Sequence, residues 1–467
     1  MLQAGIAEAD ITPKMGTQLA GDIGRPRPVE EIGDPLFVQA LVITDGSKKL
    51  CVLSLDILAV NDPRANEFRA AVAHAIGTDF ESVMMHVTQT HSAPSIGHFF
   101  CRDSCDLMPS DKSWEWLRGG DSDYDAFALK QTIDAATRAN TQLEPVEVGA
   151  AMDLDDRVAF NRRFIMRDGS SQMGVQDRQG VLQREGPMDP DVSVVSFRNK
   201  AGEVLGVMLH HTCHPVHGYP TRVVSADWPG QWRNGMREAI GGRCIPMVIN
   251  GCCGNIICQN ALDPTYKRDQ VRMGKLLTET GLRAYEQIKY ESELTLDRQA
   301  FTLPIPLREV EPELLAEAKQ MLADHPEPVM RTDVPGAVEW KWVYAVGRID
   351  IDNWRRELTN FDYYIQGFRI GRIALAAVMG EPFVEAQLDM KRQSPVARTI
   401  IAHMSNGYVG YLPTPAALKG GGYETWTGIG SKLVPEALQM VTDATVAMLQ
   451  DLCGEYAEVK TTDSRTM

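Results

Sequence analysis

Four short segments, far apart in the chain, each offer a metal-ligating or proton-handling side chain on a stretch bounded by glycine or proline. They are Thr88-Gln89-Thr90-His91-Ser92-Ala93-Pro94, Thr212-Cys213-His214-Pro215, Gly380-Glu381-Pro382 and Asn406-Gly407-Tyr408-Val409-Gly410-Tyr411. Each closes an expected strand, so the four read as one site assembled from strand ends, with nitrogen and oxygen donors of the kind Zn²⁺ favours. Gln89 and His91 are two residues apart and share a face of an extended chain. Pro94 stops a regular ladder, which leaves the side chains ahead of it projecting from a strand end. Taken alone, His91 would equally suit an ordinary hydrogen-bonded loop histidine.

The stretch His210 to Gly218 holds four of the chain's ten histidines. His210 ends a buried strand, and His211 and His217 read as surface groups. His214 precedes Pro215 and is therefore held extended, which suits a ligand that must point in one direction. Ser225-Ala226-Asp227-Trp228 opens a helix, and its Asp is either a cap or a carboxylate that orients an imidazole. Glu381 stands at a strand-to-helix turn, where a carboxylate gains from the helix dipole whether or not it binds anything. Tyr408 and Tyr411 sit among glycines. A phenol, with a pKa of about 10, ligates a metal only when the ion draws off its proton. The adjacent pair Cys252-Cys253 lacks the usual two-residue spacing of metal or redox cysteines, so neither is expected to carry chemistry.

The elements that must position these groups follow from the hydrophobic pattern. Leu36 to Thr44 and Lys49 to Leu55 are apolar runs joined by Asp45-Gly46-Ser47, a hairpin signal. Ala65 to Ile76 has helical spacing, and Val83 to Thr88 is a short strand running into the first motif. Val204 to His210 and Ile245 to Ile249 read as buried strands with a helix, Trp232 to Ile240, between them. Glu311 to Ala323 and Val338 to Leu358 look helical, and a strand is expected within Glu291 to Glu309. Phe368 to Met379 predicts a hairpin turning near Gly371, Pro382 to Met390 a helix, and Leu433 to Leu452 a final amphipathic helix. The expected architecture is α/β: one large mixed-sheet domain with flanking helices over residues 1–460, then a loose tail from Thr461 to Met467.

Composition bounds the function. A net charge of −15 argues against nucleic acid or an anionic membrane as partner, because both call for clustered Lys and Arg. No apolar run approaches the roughly 20 residues of a membrane span. The N-terminus has neither a basic n-region nor an apolar h-region, and nine cysteines without a signal peptide read as reduced thiols, so the expected location is cytoplasmic. The expected partner is a small-molecule substrate, and nothing in the composition stands against a homo-oligomer.

The motifs resemble those of the neutral/alkaline non-lysosomal ceramidases. The likeness begins at Gly5 to Pro13 and runs in family order through Asp34-Pro35-Leu36, Ser54-Leu55-Asp56, Thr90 to Pro94 and Asn161-Arg162-Arg163. It continues through Cys213-His214-Pro215, Ser225 to Gly230, Gly380-Glu381, Asn406 to Tyr411 and Gly422-Tyr423-Glu424. The family's C-terminal immunoglobulin-like domain has no counterpart. The resemblance implies a zinc ion held by two histidines, a glutamate and a tyrosine, with bound water as nucleophile. Carried over, His214, Glu381 and Tyr411 match metal ligands, and His91, Arg162 and Tyr423 match groups that line the reaction centre. Gln89 falls where the family has its first metal-ligating histidine. Either His91 takes over, another group enters, or the site is weaker and less selective for zinc. Gly254-Asn255-Ile256-Ile257-Cys258 falls where ceramidases carry an acid and a serine, which makes Asn255, with Gln89, a substrate-side candidate. The resulting expectation is a metal-dependent hydrolase of an amide or lactone bond in a small polar substrate. A metal-dependent isomerase or lyase on a sugar-like substrate, and a binding protein without turnover, stand as alternatives.

Overall fold

The computed structural model describes residues 1–102, 107–175 and 178–456. The expected tail at Thr461 to Met467 lies outside the described residues. The structure is mixed α/β, with two stacked sheets between layers of helices. Eight strands form the larger sheet: β1 (Gln3–Asp10), β2 (Phe37–Thr44), β3 (Lys49–Leu55), β4 (Val83–Val87), β5 (Glu144–Leu154), β6 (Asp191–Asn199), β7 (Val204–His211) and β8 (Ile245–Asn250). Their spatial order is β8-β7-β6-β5-β1-β2-β3-β4. Four form the smaller sheet in chain order: β9 (Leu296–Pro306), β10 (Asn360–Ile370), β11 (Ile373–Ala377) and β12 (Arg398–Ala402).

Alternation along each strand explains the layers. In β2, Val38, Ala40 and Val42 face helices α1 (Asp62–Ile76) and α2 (Ser122–Thr141), where they meet Phe68, Val72 and Ala128. Leu41 and Ile43 face the other way, toward Phe368, Ile370 and Leu375 of the smaller sheet. The larger sheet is therefore buried on both sides, and its strands read as near-continuous apolar runs. At its other end α3 (Asp227–Ile240) and α4 (Gln270–Glu286) bury Trp228, Trp232 and Leu277 against Val194, Val207 and Val248. The smaller sheet covers its free face with α5 (Val384–Gln393) and α6 (Ala437–Cys453), through Met390, Val441 and Leu449.

Within these two sheets most of the pairing is antiparallel, with three exceptions: β3 with β4, β7 with β8, and β11 with β12 are parallel. Helix α1 crosses over in the first pair, α3 in the second and α5 in the third. In α/β sheets the crevice beyond the carboxyl ends of parallel strands is where ligands bind. All four motif segments leave from such ends, after β4, β7, β11 and β12.

Candidate active site

Asn250, the last residue of β8, ties the strand ends together. Its Nδ2 donates to the carbonyls of Thr88 and Cys213, both at 3.1 Å, and its Oδ1 accepts from Cys213 N at 3.1 Å. His91 N donates to Pro215 O at 3.0 Å, and the buried Arg27 guanidinium donates to His91 O at 2.9 Å. On the other sheet Glu381 and Tyr411 pair in a short parallel ladder, with Glu381 N on Gly410 O at 2.9 Å. Gly380 has φ of 65°, and a Cβ there would lie 2.5 Å from Gly410 O, so only glycine lets these segments meet. Gln89, Asp227, Met404 and Asn406 also adopt positive φ, all in segments that build this crevice. Such concentration of strain is common where a site is over-determined by its surroundings.

His214 and Glu381 form the centre. His214 Nδ1 lies 2.6 Å from Cys253 O and 3.0 Å from Ile256 O. Carbonyls only accept, so Nδ1 carries a proton, and Nε2 presents a lone pair in the neutral ring or an N–H in the imidazolium. That nitrogen faces Glu381 Oε2 at 3.1 Å. Two acceptors at this distance require a positive centre between them, either a shared proton or a cation. Zn–N and Zn–O bonds of about 2.0–2.1 Å put neighbouring tetrahedral ligand atoms roughly 3.3 Å apart, so the pair fits two positions around one divalent ion. The backbone carbonyls that orient His214 are the outer partners such a ligand needs. Among the described residues no third His, Cys, Asp or Glu side chain joins them to complete a metal cluster. Phenols stand in that place. Tyr408 OH donates to Glu381 Oε1 at 2.9 Å, and Tyr411 OH meets Tyr423 OH at 2.9 Å. Burial disfavours charge on Glu381, but His214, Arg162 and the Gln89 amide outweigh it and hold its pKa down at about 2.

The remaining candidates divide. Gln89, His91, Glu381, Tyr411 and Tyr423 line one cavity of about 140 Å³. Gln89 stands at the expected ligand position, but its carboxamide is occupied: Oε1 accepts from Cys253 Sγ at 3.3 Å, and the amide group donates to Glu381. His91 does not replace it. Its ring centroid is 5.7 Å from that of His214, and its Nε2 is buried with no hydrogen-bond partner. Burial, with repulsion from His214, lowers the His91 pKa to about 3. Arg162 is buried behind the cavity wall, its Nε on Glu424 Oε1 at 2.9 Å and its Nη2 on Gly254 O at 2.7 Å. It backs the Tyr411 and Tyr423 rings and is not free to hold a substrate anion. Asn255 is off the cavity altogether: its Oδ1 accepts from Val384 N at 2.9 Å and its Nδ2 donates to Glu385 at 2.9 Å, so it caps α5.

Asp227 orients an imidazole, one of its two expected roles, and that imidazole belongs to His217: Asp227 Oδ1 is 2.6 Å from His217 Nδ1. Burial works against charge on His217, yet Asp227 overrides it and lifts the pKa to about 10. One further expectation is corrected: His211 and His217 are not surface groups, since His211 is fully buried with Nδ1 on Asp191 O at 3.2 Å. The sequence reading missed Cys253 as the partner of Gln89, and Lys432 as a cavity residue. In Gly251-Cys252-Cys253-Gly254 the last glycine permits a close approach, because a Cβ on Gly254 would lie 2.5 Å from Glu381 O.

No protein-family model and no curated protein matches the sequence. Solved structures do. The neutral ceramidase from Pseudomonas aeruginosa matches with a TM-score of 0.71 and 16% identity, over 97% of this chain and 75% of that one. A ceramidase solved in complex with C2 matches with the same score and identity over 99% and 75%. The fold is that of the neutral ceramidases. At this identity the likeness extends to architecture, and the chemistry has to be argued from the site itself. No helix among the described residues is long and apolar enough to cross a membrane.

Proposed function

We propose that this chain is a metal-dependent hydrolase of an amide or related acyl bond in a small substrate, with water as the nucleophile. The observation that carries the reading is the His214 Nε2–Glu381 Oε2 contact at 3.1 Å, with Glu381 lining the cavity and His214 buried behind it. A divalent ion, zinc by the donor types, would be held by His214 and Glu381 with Tyr411 beside them. When bound it would acidify a water and polarise a carbonyl.

The chain's own residues supply the rest. Tyr408 and Gln89 fix the Glu381 carboxylate from two sides, so it meets the ion without reorganising. His91 has an unpartnered buried Nε2 in the cavity wall, placed to bind the carbonyl oxygen or take a proton from the attacking water. Arg162, held by Glu424, keeps Tyr411 and Tyr423 stacked over the reaction centre. Apolar walls from Phe99, Phe100, Trp116 and Leu117 exclude water around these groups.

Gln89 favours a second reading, a ligand-binding relative without turnover, because its amide donor points at Glu381 where an imidazole lone pair would complete an ion's shell. Turnover in ¹⁸O-labelled water by zinc-supplemented protein separates the two. Label in the released acid from short-chain amides or lactones supports hydrolysis, an isomerised product would point to the same Lewis acid acting on an enolate, and unchanged substrate supports binding alone. Dispersed long-chain ceramide is expected to be inert, and its efficient cleavage with every small substrate untouched would overturn the choice of a small substrate.

A further inference from the structure

Lys432 is a cation that the catalytic scheme does not use. It lines the same cavity as Glu381, half-buried, with its ammonium 5.6 Å from the centroid of the Tyr408 ring. Among the described residues no carboxylate lies within ion-pair distance of it. The carboxylates that feel its charge are engaged elsewhere: Asp62 accepts from Tyr408 N at 2.9 Å, and Asp350 pairs with Arg102 at 3.5 Å. The other charged side chains of the cavity differ in this respect. Asp22 accepts from Tyr219 OH at 2.8 Å and lies 3.4 Å from Arg25, while Arg118 pairs with Glu115 at 3.4 Å. A partly desolvated ammonium facing a cavity is costly unless something anionic meets it there. The burial that lowers the Lys432 pKa is that same cost.

The position is as informative as the charge. Tyr408 lies between the two poles, its hydroxyl on Glu381 Oε1 at 2.9 Å and its ring under the ammonium. One side chain thus connects the carboxylate of the reaction centre to the ammonium, so a single small substrate can meet both. The walls beside it are aromatic: Phe99 packs edge-on against Tyr408 at 5.5 Å, and Tyr344 packs against Trp426 at 5.0 Å. One ammonium without an arginine fork or a helix N-terminus suits a single carboxylate better than a phosphate dianion. We propose that Lys432 receives a substrate carboxylate, so that the site takes a small N-acylated amino acid with an apolar or aromatic side chain, and not a neutral lipid amide.

This rests on the hydrolase reading above, and the test separates the two. Full-length wild-type, Lys432→Met and Lys432→Arg proteins, supplemented with zinc, are assayed with N-acetyl-phenylalanine and its carboxamide. In parallel, 3-phenylpropanoate and 3-phenylpropanamide are titrated calorimetrically. Wild type should favour the acid by roughly tenfold to a hundredfold in kcat/KM and in Kd, as expected for one charge-assisted contact. Lys432→Met should erase that preference, and Lys432→Arg should keep most of it. Hydrolysis without preference for the acid, or a preference that survives Lys432→Met, overturns the subsite and leaves the hydrolase. Binding of phenylpropanoate that needs Lys432, with no hydrolysis of either amide, overturns the hydrolase and leaves the subsite. If Lys432→Met does not fold, the wild-type preference and its retention in Lys432→Arg decide.

Discussion

Two buried carboxylates, Glu424 and Glu381, both act on the phenol of Tyr423, yet they do opposite work. Glu424 is fully enclosed and saturated by cations, with Oε1 on Arg162 at 2.9 Å and Oε2 on Arg163 at 2.7 Å. Glu381 is buried to a similar degree, but among the described residues no arginine or lysine pairs with it: a phenol and an amide donate to it, and Oε2 lies 3.1 Å from His214 Nε2. Buried charge alone does not mark the site. What distinguishes Glu381 is incomplete satisfaction, and the ion pair behind it keeps the wall rigid enough for that to persist.

The sharpest way to break this contrast is to remove charge from each carboxylate in turn. Glu424→Gln leaves the buried Arg162 guanidinium without a counter-charge and Arg163 with Glu185 alone, and breaking such a pair from one side costs about 3–5 kcal/mol. Urea unfolding should show a loss of that size, and a change below about 1 kcal/mol would mean that the Arg162–Glu424–Arg163 triad is not structural. Glu381→Gln should do the reverse. Its amide can donate to His214 Nε2 and still accept from Tyr408, so the fold should survive. Turnover should fall roughly a thousandfold, about 4 kcal/mol, with bound metal lost in elemental analysis. Activity within tenfold of wild type would remove Glu381 from the reaction centre.

A third substitution sharpens the contrast from the side of the ion. Gln89 has φ of 68°, a backbone region that histidine tolerates better than most side chains. Gln89→His exchanges an amide donor for an imidazole acceptor beside His214 and Glu381. Zinc affinity, measured by competition with a chromophoric chelator, should rise at least tenfold. An unchanged affinity would mean that position 89 does not point at the ion.

The fold was legible where periodicity was strong. The hairpin at Asp45-Gly46-Ser47 appears with Thr44 opposite Lys49, and the hairpin at Gly371 turns where expected. The second strand of that sheet starts earlier than its apolar run suggests. β10 begins at Asn360 because it pairs along its full length with β9, and that pairing is set by a partner far away in sequence. β5 and β6 were not read at all, nor was the stacking of two sheets, since face-to-face packing leaves only buried residues on both sides of a strand. In the site, residue types told which groups could act but not which were already engaged. Arg162 and Asn255 looked available in the sequence, and only the fold shows that Glu424 and α5 occupy them. His214 and Glu381 are both buried, so truncation to alanine would test packing as well as chemistry.

Asn255 gives the smallest expected effect on turnover and the cleanest check on that last point. The first residues of α5 have no side-chain cap of their own, and Asn255 supplies one from across the chain by accepting from Val384 N. Its amide also holds the Glu385 carboxylate, whose pKa is raised by burial. Asn255→Ala removes both the capping bond and the bond to Glu385, worth about 2 kcal/mol together. It touches no atom that lines the cavity. Urea unfolding should therefore shift by about that amount, while kcat/KM on any accepted substrate stays within roughly twofold, equivalent to less than about 0.5 kcal/mol. If instead KM rises tenfold with stability unchanged, Asn255 contacts substrate, and the division between residues that hold the wall and residues that meet the ligand has to be redrawn through α5.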